Sequence, residues 1–102
     1  VILFVSYSGS THDMMDTLSV AKKAGAKIIL ITHYPDAPGT ALADVVLLCG
    51  ALESPLDGGS IPVKVAALFV AESLLLRYLL DNQELARIAR SKTSLAMTAK
   101  LL

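Results

Sequence analysis

The sequence predicts an α/β fold built on a parallel sheet. Three observations carry this. Apolar runs at Val1–Val5, Lys27–Thr32 and Val45–Cys49 lack polar alternation, the pattern of strands buried on both faces. An amphipathic stripe separates the first two runs, so strand, helix and strand read as one right-handed βαβ unit. Turn-forming residues fill the remaining gaps.

The elements follow in order. After the first strand, Ser6, Ser8, Gly9, Ser10 and Thr11 supply hydroxyls and a flexible turn. Thr11 or Ser10 caps the next helix, with Asp13 in its first turn, where a carboxylate favours the helix dipole. Met14, Met15, Leu18, Ala21 and Ala24 form its apolar stripe, Lys22 and Lys23 lie near its end, and Gly25 stops it. The second strand is followed by HYPDAPGT, His33 to Thr40, whose prolines and Gly39 make a turn, and by one helical turn over Ala41–Ala43. Asp44 precedes the third strand. GALESPLDGGS, Gly50 to Ser60, is a loop broken by Pro55, Gly58 and Gly59. Ser60 caps a long helix that tolerates Pro62 in its first turn. Its apolar residues spread over much of its surface, which predicts a helix covered on more than one side. A last helix runs over Gln83–Leu102.

Composition bounds the function. The chain has 102 residues, 54% of them hydrophobic, and nine basic residues balance nine acidic ones. Such a chain offers no net-charge argument for direct nucleic-acid or membrane contact. Its longest apolar stretch, Val65 to Leu80, is interrupted by Glu72 and Arg77 and falls short of a bilayer span. The lone Cys49 predicts a buried, reduced thiol, and with no disulfide framework a cytoplasmic setting is expected. Two histidines and one cysteine far apart give no metal-ligand spacing, so neither a metal nor a cofactor is expected. The chain starts within an apolar strand, and three such strands cannot shelter both edges. Preceding strands and helices, or a second chain, are expected to cover them.

The residues at the first strand-to-helix junction suit an anion. Free backbone N–H groups and the positive end of the helix dipole meet there, so a phosphate is held without Lys or Arg. Four hydroxyls around a glycine exceed what a cap requires. His12 reads as a solvated first-turn residue. His33 ends the second strand, where parallel sheets place ligand crevices, and stands equally as a ligand contact or as loop surface. Glu53 and Asp57, on either side of Pro55, read as solvated, and Glu72 as a structural ion-pair partner of Arg77 or of another chain.

SYSGST at Ser6–Thr11, then AKKAGAKIILIT, then ALADVVLL, resembles the sugar-isomerase (SIS) domain. The resemblance implies a three-layer α/β/α sandwich of flavodoxin-like form, with the chain as one partial domain over residues 1–102. GALESPLDGGSIPVKVAALFVAESLL is most similar to the C-terminal domain of RpiR-type bacterial transcription factors. That branch implies a sugar-phosphate effector, a homodimer or higher homo-oligomer, and DNA contact only through a helix-turn-helix domain outside this chain. It also implies phosphate-binding hydroxyls at Ser6, Ser8 and Thr11, a turn at Gly9, and backbone N–H groups from Gly9 and Ser10. Tyr7, His33 and Ser60 are further candidate contacts. Val63 and Lys64 depart from the Ser-Arg of many regulators, and Lys64 keeps the charge without the guanidinium fork.

No catalytic residue is assigned, because isomerisation needs a proton-transferring base that the sequence does not identify. A phosphosugar sensor is therefore expected. The alternatives are a sugar-phosphate isomerase or lyase of the same fold, and a dimerisation module with a vestigial pocket.

Overall fold

The structure is a computed structural model that describes residues 1–50 and 61–101. Its elements are β1 (Ile2–Val5), α1 (His12–Lys23), β2 (Ile28–Thr32), a short 3-10 turn (Pro38–Ala41), β3 (Val45–Leu48), α2 (Ile61–Asp81) and α3 (Gln83–Thr98). The three strands form one parallel sheet in the order β1-β2-β3. Ile2 lies opposite Ile28 and Phe4 opposite Leu30, while Leu30 faces Val46 on the other side.

Alternation along the strands sorts the side chains onto two faces. On one face Met14, Leu18 and Ala21 of α1 close over Ile28 and Leu30, flanked by Ile2 and Phe4. These α1 positions recur at helical spacing, so one stripe of the helix is buried and the rest stays in water. On the opposite face Val63 is buried, and with Ala67 it lines a space shared with Val5 and Ile31. The first turns of α2 thus supply the other helical layer.

α1 ends on a pair of crossed bonds. Gly25 at φ +77° donates to the Lys22 carbonyl and Ala26 to that of Ala21, which satisfies two carbonyls the helix leaves open. Ala24 is the capping residue and lies exposed, outside the apolar stripe in which the sequence placed it.

Asp44 fastens the start of β3 to β2. Its Oδ2 accepts from the Ile28 amide at 2.8 Å, its own amide donates to the Ile28 carbonyl, and Lys22 Nζ stands 3.4 Å from Oδ1. The Ile28 amide, and after it the Lys22 charge, holds this carboxyl below the usual range.

Only β2 is sheltered as a doubly buried strand should be. Ile28, Leu30, Ile31 and Thr32 are fully buried, whereas Leu3 and Val5 of β1 are 45% and 55% exposed and Val45 and Leu48 of β3 are also open. The outer strands carry buried-type sequences on faces that the described residues leave uncovered. The same holds for α2, where Val63 is the one buried residue and Leu68 and Phe69 lie in the open. Among the described residues, this chain by itself covers the helix only at Val63.

The chain divides into two compact units, residues 1–71 and 72–102. In the second, Asn82 leaves helical geometry and its side chain donates to the Tyr78 carbonyl, so one helix ends and α3 begins. Arg77 pairs with Asp81 at 3.1 Å, four residues on, rather than with Glu72. Five positions along a helix put two side chains on different faces, and four put them together. No α3 residue is buried.

Candidate functional site

The site begins where β1 runs out. The Ser6 amide still donates to the Ile31 carbonyl at 2.9 Å, and the Tyr7 carbonyl then accepts from both the His33 amide and the Thr32 hydroxyl, at 3.1 and 3.0 Å. Gly9 turns the chain at φ +62°, a region that side chains disfavour. A Cβ there would stand 2.6 Å from that of Ala37. The carbonyl of Gly9 accepts from the Gly39 amide at 2.8 Å, so the loop after β1 is strapped to the connection after β2.

Within the loop the Gly9 amide donates to Ser6 Oγ at 3.2 Å and the Ser10 amide to Ser8 Oγ at 3.4 Å. The amides expected to face a ligand are thus engaged by the loop's own hydroxyls over rather long bonds. Each of those hydroxyls still has its hydrogen to donate. Thr11 occupies the N-cap position in an extended conformation, yet its side chain makes no capping bond, and neither does that of Ser10 serve as the cap. The first-turn amides of α1 have no intrahelical partner. Ser10 and Thr11 are exposed and Ser6, Tyr7 and Ser8 half-buried.

Three rings gather at the same rim of the sheet. Tyr7 stacks on His33 with centroids 5.0 Å apart and planes at 11°, and Tyr34 stands edge-on to both. His33 Nδ1 lies 3.0 Å from the Cys49 carbonyl; a carbonyl only accepts, so this nitrogen carries a proton. Gly50, at φ +126°, passes so close that a Cβ would collide with the imidazole. The ends of all three strands therefore meet at His33. Tyr34 was missed in the sequence, although its place directly after the strand-ending His33 marks it.

A cavity of about 160 Å³ lies on the α2 side of Tyr7, lined by Val5, Tyr7, Ile31, Cys49, Val63, Lys64 and Ala67. The Cys49 thiol is half-buried and desolvation pushes its pKa up. His12 lies exposed in the first turn of α1. Ser60, Glu53 and Asp57 fall outside the described residues. Among those described, no three metal-ligating side chains come together, and no helix is long and apolar enough to cross a membrane.

Comparison with known proteins fits this geometry. The HTH-type transcriptional regulator RpiR of Escherichia coli (strain K12) is 37% identical over 93 residues, which is 91% of this chain and 31% of the regulator. The 3-hexulose-6-phosphate isomerase of Mycobacterium gastri is 33% identical over 90 residues, covering 82% of this chain and 45% of the enzyme. Among solved structures, the Vibrio vulnificus NanR protein complexed with ManNAc-6P superposes with a TM-score of 0.79 at 26% identity, over 95% of this chain and 38% of NanR. The chain spans about a third of the length of the regulators it matches. The SIS domain model matches residues 1–77, the stretch that carries the parallel sheet, the hydroxyl loop and the first turns of α2, and the chain belongs to the SIS domain family, homologous to the RpiR-type regulators within it.

Proposed function

We propose that this chain is the phosphosugar-sensing part of an RpiR-type transcriptional regulator. Ser6, Ser8, Ser10 and Thr11 donate hydroxyl hydrogens to the phosphate, the turn at Gly9 brings them together, and the open first turn of α1 adds amides and its dipole. The observation that carries this is the Thr11 N-cap with no side-chain bond, which leaves both hydroxyl and helix end to a ligand. Tyr7 and His33 flank the sugar. Occupancy acts through a homodimer or higher homo-oligomer on a helix-turn-helix domain outside this chain, by its differential affinity for two subunit arrangements. The regulator relatives, and the solved NanR protein complexed with ManNAc-6P, support this reading.

The isomerase relative favours a second reading, catalysis on the same ligand class. Moving a proton between neighbouring carbons needs a base free at the site. On this reading His33 is the candidate, since an imidazole that donates through Nδ1 to the Cys49 carbonyl has Nε2 as the nitrogen able to take a proton, and loss of turnover in His33→Ala would identify it.

Calorimetry on the full-length protein with a panel of sugar phosphates, ManNAc-6P and hexulose 6-phosphate included, tests the proposal. One member of the panel is expected to bind without turnover, and Ser8→Ala is expected to weaken it by about tenfold. Binding to none of the panel overturns the sensor, and turnover replaces it with the enzyme.

A further inference from the structure

We infer that Thr32 is a positioning residue for the phosphate loop, an assignment that rests on the binding reading above. Thr32 ends the central strand and is fully buried, on a strand whose other residues are isoleucine and leucine. Valine has the same shape and would fill the site without a polar atom. A buried hydroxyl gains little for the fold unless it is bonded, and its net worth when bonded is small. Here it is bonded to the Tyr7 carbonyl at 3.0 Å. That carbonyl already accepts from the His33 amide, so the hydroxyl is not needed to satisfy it.

What the hydroxyl adds is a second tether on the middle of the loop. Tyr7 lies between Ser6 and Ser8, the two residues whose oxygens hold the Gly9 and Ser10 amides. The same Thr32 Oγ1 lies 3.0 Å from the point where a Gly9 Cβ would stand. One atom thus bonds the loop at Tyr7 and stands in the space that a side chain on Gly9 would need. Two bonds on one carbonyl fix the tilt of the Tyr7–Ser8 peptide as well as its position, and with it the direction of the neighbouring hydroxyls. A loop held in its binding geometry before the ligand arrives loses less freedom on binding.

The experiment compares the full-length wild-type protein with Thr32→Val and Thr32→Ser. Binding of inorganic phosphate and of the sugar phosphate selected by the panel is titrated, thermal melting is recorded, and amide exchange is followed at Gly9 and Ser10. Thr32→Val is expected to weaken both ligands by roughly fivefold to tenfold, the equivalent of one modest hydrogen bond. It should speed exchange at the two amides and hardly move the melting temperature, while Thr32→Ser binds within about twofold of wild type. Wild-type affinity in the Val variant overturns the assignment alone. So does a Ser variant as weak as the Val variant, since the methyl group would then be what matters. A Val variant that fails to fold also overturns it, making the hydroxyl a folding determinant. Failure of the wild type to bind any phosphate overturns the binding reading itself.

Discussion

The backbones of Gly9 and Gly39 meet with no room for a side chain on either. The Gly39 amide reaches the Gly9 carbonyl at 2.8 Å, and a Cβ on Gly39 would stand 2.8 Å from the end of Met14 and 2.9 Å from that same carbonyl. The hydroxyl loop after β1 is therefore held by a neighbour chosen for its absence of bulk.

Gly9→Ala is expected to lower stability by about 2 kcal/mol or more, from left-handed backbone cost plus overlap with Ala37. Urea unfolding of the variant against wild type measures it. An unchanged midpoint would mean that the loop can leave the position described.

Thr11→Val should leave stability where it is, because the Thr11 hydroxyl makes no capping bond. A working N-cap threonine would lose about 1 kcal/mol on such a change. Sugar-phosphate affinity should fall in the same variant. Thermal melting and calorimetry on one preparation separate the two effects.

Asp44→Asn is expected to destabilise the fold at neutral pH and to matter less in acid. The folded carboxyl titrates below its ordinary value of 3.8 because the Ile28 amide, and then Lys22, favour its charged form. The stabilisation is therefore complete above the unfolded value and is lost as pH falls through the depressed folded one. Urea midpoints of both proteins should differ at pH 7 and converge below about pH 4.

Leu18→Ala empties the centre of the layer between α1 and the sheet. Leu18 is fully buried beside Met14, Ile28 and Leu30, and the loss should be about 2–5 kcal/mol. For a domain with marginal stability that is a large share of the total, and chemical denaturation reads it directly.

Much of this fold is legible in the sequence because local signals agree with the tertiary arrangement. Gly25 stops α1 and the apolar runs become strands in parallel order, whereas the single helical turn lies at Pro38–Ala41, ahead of the Ala41–Ala43 expected, because Pro38 can open a turn where no amide partner is needed. What misleads is burial. Composition reports how much a strand or helix would gain by being covered, and says nothing of whether the cover comes from the same chain; Leu3, Val5 and Phe69 show the difference. The hydroxyl loop was visible as a cluster. The use of Ser6 and Ser8 to hold the loop's own amides was not, since that depends on the turn at Gly9 and on Ala37 from a distant segment. Nor could spacing reveal the stacking of Tyr7 on His33, which requires the register of β1 against β2.

Because the strands lie side by side in chain order and all point the same way, the molecule has a working rim and a fastened rim. Asp44 locks the fastened rim by holding Ile28, at the far end of the strand from His33 and Thr32. Residues at the working rim can consequently be exchanged while the anchorage stays as it is, which lets one scaffold present different chemistry at the same place.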